Sequence, residues 1–496
     1  MHITRRNFIK ATGAGVFLPA ITGRAFAAEG GAPLPVPEVM DLSGGTMGEL
    51  TARLGSANML QGRATQTAGY SADYLGPLIR VKRGETARLK LGNSIVEPVS
   101  VHWHGMHIDG AQDGGPHTPL NPNAVFDAAL YVDQPAATLW YHSHIMERTA
   151  PHVWFGLAGM LLVDDPDAPD SGLPSTYGED DLPLVVQDRI FGNDGNLVYA
   201  PRGPSLMHGY RGSEILVNGA IRPEATVPLG MVRLRILNGS NARIYHFGFE
   251  DGRQFAQVAS DGGLLPAPVR MNTLTLAPAE RAEILVDFSS GAPVRLLSGP
   301  DDNSPMAGMM GGMGRMSGMM ASPDADESGD FEIMRFSVNS GLAGKVTTLA
   351  NTIAGAPAPD FGEPVRRRQF RLDMMGGGMG GMMMGGGHGM SINGESMDMA
   401  VINEEVKRGE TEIWEISSTE MMHPFHVHGT SFQVLSENGA PVDSTALGLK
   451  DVVLVENTAE ILVRFDRTAD AATPYMYHCH ILEHEDLGMM GQFTVT

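Results

Sequence analysis

Apolar and polar residues alternate along most of this chain in short runs closed by Gly, Pro or Asn, the period of strands whose two faces meet different surroundings. Ile215-Leu-Val-Asn-Gly219 and Val232-Arg-Leu-Arg-Ile-Leu-Asn238 show the pattern. With 62 Gly and 32 Pro among 496 residues, turns between short strands are favoured over long helices, and the chain reads as all-β, built of β-sandwiches. A repeat sets the domain plan: Val81-Lys-Arg-Gly-Glu-Thr86 returns letter for letter as Val406-Lys-Arg-Gly-Glu-Thr411. Each copy is followed by a His-x-His-Gly motif, at His102/His104 and His426/His428, and later by a second His-x-His pair, at His142/His144 and His478/His480. Residues 215–250 keep the strand pattern of a third copy, with only His246 near the motif position, where a lone His reads as structural. The plan is three domains, at about 45–165, 175–295 and 365–496, with 300–364 as a linker holding a methionine-rich segment.

The N-terminus departs from this pattern. Thr4-Arg5-Arg6-Asn7-Phe8-Ile9-Lys10 leads into an apolar run from Ala11 to Ile21 and then Ala25-Phe26-Ala27. Twin Arg, a short apolar core and a small-x-small cleavage site describe a twin-arginine export signal over residues 1–28. The apolar run is too short to span a bilayer, and no later stretch is apolar enough, so a periplasmic monomer without membrane insertion is expected.

Charge narrows the partners. The formal charge is −22; removing residues 1–27 takes away four basic residues and no acid, which gives −26 for the mature chain. An acidic surface argues against nucleic acid and anionic membranes and mildly favours cations. A single cysteine rules out an intrachain disulfide, so stability must come from large cores and bound metal.

That cysteine, Cys479, sits between His478 and His480, with His484 and Met489 close behind. Thiolate, imidazole and thioether are the soft ligands copper takes. Alternate residues of a strand share a face, so His478 and His480 point one way and Cys479 the other. One strand can then serve two metal sites joined by a few covalent bonds. His423, an odd three residues before His426, faces away from that pair and is the candidate second imidazole for the thiolate site.

His102-Trp-His104-Gly, His142-Ser-His144, His423-Pro-Phe-His426-Val-His428-Gly and the 478–490 stretch resemble, in order, spacing and residue type, the four copper-binding motifs of the multicopper oxidases. The resemblance implies three cupredoxin-like Greek-key β-sandwiches and four copper ions. It assigns His423, Cys479, His484 and Met489 to a type 1 copper and His102 and His426 to a type 2 copper. His104, His142, His144, His428, His478 and His480 go to a type 3 pair. The eight imidazoles outside the type 1 set must then meet where the first and third domains touch, with the second as spacer. Asp113 and Glu485 match acids that assist oxygen reduction in the family, as proton relays or by orienting ligands.

Two stretches are rich in methionine: seven within 306–320 and nine within 374–399, together 16 of the 32. Mobile thioethers can gather Cu(I) without trapping it, as further labile copper. The insertion beside the third domain resembles that of bacterial periplasmic cuprous oxidases of copper efflux systems. The substrate Cu(I) ligands it suggests are Asp373, Met374 and Met375, with Glu420, Met421 and Met422. The spacing before His423 is one residue shorter than in that subgroup, and Arg368 stands where a Met is expected.

Three readings follow. One is an oxidase coupling Cu(I) oxidation to reduction of dioxygen to water, with a role in copper tolerance. Another is a laccase-like oxidase of phenols. The third is a non-catalytic copper buffer or a copper-free scaffold like the family's cell-division relatives. His107, His117, His152, His208 and His388 receive no role.

Overall fold

A computed structural model describes residues 31–303, 329–374 and 390–496. The export signal, Met375 and most of both methionine-rich stretches, with the labile-copper role read into them, lie outside these residues. Among the described residues no helix is long and apolar enough to cross a membrane.

The alternation read from the sequence becomes three sandwiches of paired sheets. In the first, one sheet runs Val39–Asp41, Leu78–Lys82, Ala158–Asp164, Ala137–His142, and the other Arg63–Tyr70, Met47–Leu60, Thr86–Asn93, Val125–Tyr131. Inward-facing Leu50, Ala52, Leu89 and Leu91 meet Ile79, Leu139 and Leu161 in its core. The second sandwich has a seven-stranded sheet centred on Asp181–Arg189, Met231–Asn238 and Arg281–Asp287, facing a five-stranded sheet. Its central strands are buried along almost their whole length, as expected of strands covered on both faces. The third packs a six-stranded sheet containing Arg366–Asp373, Thr411–Ser418 and Thr458–Arg464 on a five-stranded one. The five-stranded sheet holds His423–Val427, Tyr475–Cys479 and Met490–Val495. Aromatic rings fill that core, Trp414 and Tyr477 each 4.7 to 6.0 Å from their ring neighbours Phe370, Phe493 or each other, save where Tyr477 meets Phe493 at 6.1 Å.

The stretch 300–364 differs from a plain linker. Phe331–Ala343 is a strand of the second sandwich, parallel to Glu224–Leu229 and antiparallel to Val294–Ser298, and it buries Ile333, Met334 and Phe336. Its alternation follows directly on low-complexity sequence, and its partners lie far earlier in the chain, so a local pattern does not announce it.

Charged side chains buried between the domains hold the sandwiches in register. Glu283 of the second accepts from Arg233 Nε at 2.7 Å, Arg235 Nη1 at 2.7 Å and, across the interface, Thr138 Oγ1 of the first at 2.6 Å. Burial alone would raise its carboxyl, but the two guanidinium groups outweigh that and hold it at about 2. The folded pKa is depressed, so the stabilisation is present above the ordinary carboxylate value and is lost as pH falls toward about 2. Glu283→Gln should cost on the order of 3 kcal/mol at neutral pH and flatten the acid limb of stability below pH ~4.5, measured by urea unfolding against pH. Wild-type stability in the variant would show that the arginines are satisfied without it.

Candidate metal centres

The two copies of the repeat place their histidines equivalently. His102 and His142 exchange backbone hydrogen bonds of 2.8 and 3.1 Å, and His426 pairs with His478 in the same antiparallel sense. Each sandwich therefore presents two facing His-x-His pairs. The first and third sandwiches bring these surfaces together, with His102 stacked on His428 at 3.9 Å and His104 on His426 at 3.7 Å between ring centroids. All eight imidazoles are buried.

Within this cluster the Nε2 atoms of His144, His428 and His478 converge, at 3.3 Å from His144 to His478 and 3.2 Å from His428 to His478. Two nitrogens about 2 Å from a shared tetrahedral ion lie ~3.3 Å apart. His104, His142 and His480 form a second trio, with ring centroids 5.2 to 5.7 Å apart. Seven nitrogens of the cluster have no hydrogen-bond partner: His102 Nε2, His104 Nδ1, His142 Nε2, His144 Nδ1, His426 Nε2 and both of His480. Buried polar atoms are almost always paired, so lone pairs facing a common space fit bound cations. Burial is the largest cause lowering the pKa of His104, His142, His144, His426, His428, His478 and His480, which favours the neutral form that ligation requires; it lowers His478 to about 3.

On the other face of the Tyr475–Cys479 strand, Cys479 Sγ lies 3.3 Å from His423 Nδ1 and 3.6 Å from His484 Nδ1. The two nitrogens are 3.3 Å apart. Met489 is buried in the same apolar cluster, and its carbonyl accepts from the Cys479 N–H at 3.1 Å. Burial pushes the Cys479 thiol far above its ordinary value, so a thiolate here needs a cation beside it. The strand turns Cys479 to one cluster and His478 to the other, as its alternation predicts.

The multicopper oxidase family model matches residues 51–168 and 367–496. The laccase-like multi-copper oxidase CueO from Ochrobactrum sp. shares 41% identity and a TM-score of 0.84, over 94% of this chain and 100% of that one. This chain belongs to the multicopper oxidase family. The Campylobacter jejuni multicopper oxidase, a metallo-oxidase, shares 25% identity with a TM-score of 0.76 over 95% of this chain and 99% of its own. The cell division protein FtsP of Dickeya dadantii is 36% identical over 99% of this chain and 98% of its own, and that of Escherichia coli K12 is 34% identical over 100% and 99%. Membership in the family implies that copper is the bound metal, and the donor set fits it.

Both acids of interest sit behind rings of the histidine cluster. Asp113 Oδ2 accepts from His428 Nδ1 at 2.8 Å, its carbonyl accepts from His102 Nδ1 at 2.9 Å, and its Oδ1 is buried without a partner. Glu485 lies 3.5 Å from His144 Nδ1 and 3.3 Å from His478 Nδ1, and burial holds its carboxyl well above the ordinary range.

Two features carry no sequence signal. Asp451 Oδ1 accepts from His104 Nε2 at 3.0 Å, and the Met207 carbonyl accepts from His484 Nε2 at 2.9 Å. Neither stands in a motif, and both reach their histidine from a distant part of the chain.

The suggested Cu(I) ligands are partly gathered. Parallel pairing of Arg366–Asp373 with Thr411–Ser418 sets Leu372 opposite Ser418, and just beyond it the Met374 N–H donates to Glu420 Oε2 at 3.0 Å. Asp373 pairs with Arg371 at 2.7 Å, Met421 packs on the third core, and the Met422 N–H donates to Asn303 at 3.0 Å. Arg368 is tied to Glu404 and Glu412 and supplies no ligand. Of the unassigned histidines, His107 pairs with Ser431, His117 with Gln492 and His152 with Ser143, all structural contacts, and His388 lies outside the described residues.

The folded pKa of His478 and His484, about 3 and about 4, lies below the ordinary 6.5, so the unfolded chain binds more protons as pH falls below ~6.5. Each then removes about 2 kcal/mol of stability at pH 5. The copper-free protein should show a melting temperature that falls steeply from pH 7 to pH 5, while the copper-loaded protein resists the change. A flat profile for the copper-free protein in calorimetry would show that the rings are solvated.

Proposed function

We propose that this chain is a periplasmic, copper-dependent oxidase that takes single electrons from Cu(I) and delivers four of them, with four protons, to dioxygen to give two waters. The observation that carries the reading is the complete donor set on one strand: Cys479 faces His423 and His484 while His478 and His480 face the eight-imidazole cluster. In this reading His423, Cys479, His484 and Met489 hold type 1 copper, and His102 with His426 holds type 2. His104, His142 and His480 hold one type 3 ion and His144, His428 and His478 the other. Copper bound there would supply one-electron carriers and the place where dioxygen is reduced.

The protein's own part is transfer, protonation and exclusion. Cys479 joins the two centres through the backbone of its neighbours. Asp113, with Oδ1 unpartnered, and Glu485, whose carboxyl burial raises well above its ordinary value, are the acids that would relay protons beside the rings of the cluster. His484 is fully buried and its outer nitrogen is closed by the Met207 carbonyl, so a bulky phenol has no direct approach to that edge. His423 Nε2 is buried without a partner, three residues from Glu420. That difference favours Cu(I), held by Asp373, Met374, Met375, Glu420, Met421 and Met422, over organic reductants. The twin-arginine signal supports export.

Two observations favour other readings. The Ochrobactrum protein has oxidase activity towards lignin model compounds and lignosulfonate, which suggests a laccase-like use of the same centres. Similarity to the cell division protein FtsP suggests a part in cell division. A scaffold has no use for twelve filled ligand positions, which is why the oxidase reading is preferred.

Oxygen uptake with a stabilised Cu(I) complex and, separately, a phenol decides between them. Cys479→Ser should abolish both, by at least about a hundredfold, on the scale of losing a group that acts in every turnover. Deletion of 376–390 should depress Cu(I) turnover while phenol turnover holds or rises. Equal rates after the deletion would favour the laccase-like reading, and no uptake by copper-loaded wild type would favour the scaffold.

A further inference from the structure

Met421 and Met422, which lead into His423, lie between strands Thr411–Ser418 and His423–Val427 and belong to neither, so their backbone groups need other partners. Ser418 Oγ donates to the Met421 carbonyl at 2.9 Å. Met422 is held on both sides by one side chain: Asn303 Nδ2 donates to its carbonyl at 2.6 Å, and its N–H donates to Asn303 Oδ1 at 3.0 Å. That is the double exchange of an antiparallel strand pair, made here by a side-chain amide. Asn303 is itself buried and follows shortly after the strand Val294–Ser298 of the second sandwich.

What holds Asn303 leads to the other imidazole of the thiolate site. The Asn303 N–H donates to Asp301 Oδ1 at 2.9 Å, and Asp301 Oδ2 accepts from Arg211 Nε in an ion pair whose two members are both buried. Arg211 Nη1 donates to the His208 carbonyl and, at 3.3 Å, to that of Gly209. One residue before His208, the Met207 carbonyl accepts from His484 Nε2 at 2.9 Å. The path runs from His484 through Met207, Arg211, Asp301 and Asn303 to Met422 and His423. Cys479 closes it, 3.3 Å from His423 Nδ1 and 3.6 Å from His484 Nδ1. Gly209 lets the turn pack this closely: at φ +84°, a Cβ there would lie 2.2 Å from Ala242 Cβ and 2.8 Å from Ile481 Cγ2.

We infer that Arg211 and Asn303 are positioning residues, through which the second sandwich sets the spacing of the two imidazoles that face Cys479. His423 stands on a strand and His484 on the short helix Leu482–Asp486, and the path through the second sandwich is what joins their outer sides. A guanidinium fixed at Nε and Nη1 and an amide fixed at both its oxygen and its nitrogen are planar groups, with no torsion left to absorb a shift. The brace therefore keeps the two imidazole nitrogens 3.3 Å apart without help from a metal, so that ligands need not rearrange when the charge between them changes. A sandwich that supplies no member of either cluster thereby acts directly on the site that carries single electrons.

The inference rests on the oxidase reading for the type 1 label but not for the brace. In copper-free, full-length protein, amide hydrogen exchange read by mass spectrometry should quicken in peptides covering 419–424 of Asn303→Ala by about fivefold or more, the scale of a lost hydrogen bond. Peptides of the central strand Arg281–Asp287 should exchange as in wild type. Arg211→Lys keeps a cation beside Asp301 but loses the fork, so it should melt near the wild-type temperature and still exchange faster over both 205–212 and 419–424. Copper-loaded Asn303→Ala and Arg211→Lys should each show an altered type 1 absorption and a shifted reduction potential, with the coupled, EPR-silent type 3 pair unchanged. Wild-type exchange at 419–424 in Asn303→Ala overturns the inference. So does a wild-type type 1 spectrum and potential in both variants, or loss of type 1 and type 3 copper together. Failure of the oxidase reading would appear separately, as absent oxygen uptake in wild type, and the exchange measurement would still decide the brace.

Discussion

A neutral imidazole has one N–H and one lone pair, and the site works by tying the first so that the second points inward. Seven of the ten clustered histidines have a ring N–H fixed by a named acceptor: His102, His104, His142, His426, His428, His478 and His484. Five of those acceptors are backbone carbonyls, which cannot be moved without moving a strand or loop. The rest of the structure follows from this. Strands bring the carbonyls, sandwiches bring the strands, and the domain contacts must be rigid enough to hold lone pairs of separate sandwiches within ligand distance.

The short helix Leu482–Asp486 shows how that rigidity is reached. Three acids on it face three directions. Asp486 accepts from the Thr149 and Ala150 N–H groups at 2.9 and 3.0 Å, capping a helix of the first sandwich. Glu483 takes the Tyr210 N–H and Asn241 Nδ2 of the second, each at 2.9 Å. Glu485 lies behind His144 and His478. His484 stands among them, so the imidazole that faces Cys479 is set by the same turn that locks all three sandwiches. Burying three carboxyls on one turn is costly, and raised pKa values of Glu483, Glu485 and Asp486 record that cost, with burial as the first cause of each.

What the sequence made legible was what local geometry decides. Alternation on one strand assigns Cys479 and His478 to opposite faces, and an odd spacing assigns His423 to the thiolate side; contacts on both faces agree. The repeat likewise made the two facing His surfaces legible, because equivalent strands fold equivalently. Asp451, Asn303 and Met207 were not legible. Each acts across a domain contact, from a position whose neighbours in sequence say nothing about its neighbours in space. The strand Phe331–Ala343 was hidden for a related reason, since its partners precede it by dozens of residues and low-complexity sequence stands beside it.

Energetics bears on the choice between oxidase and scaffold that the likeness to FtsP raises. An unpaired buried polar atom costs about 1–3 kcal/mol. Seven ring nitrogens of the eight-histidine cluster have no hydrogen-bond partner, His102 Nε2, His104 Nδ1, His142 Nε2, His144 Nδ1, His426 Nε2 and both of His480. Together they withhold roughly 7–21 kcal/mol, as much as the whole stability of a typical domain. A protein whose work was only to dock a partner would be more stable with apolar side chains there, as buried polar clusters generally are when replaced. The cluster is sustainable because a cation offsets the cost, and binding that stabilises the fold also makes the fold report on copper. The physical argument for metal in this chain therefore does not depend on turnover: the arrangement of lone pairs is itself an unstable one until something positively charged stands between them.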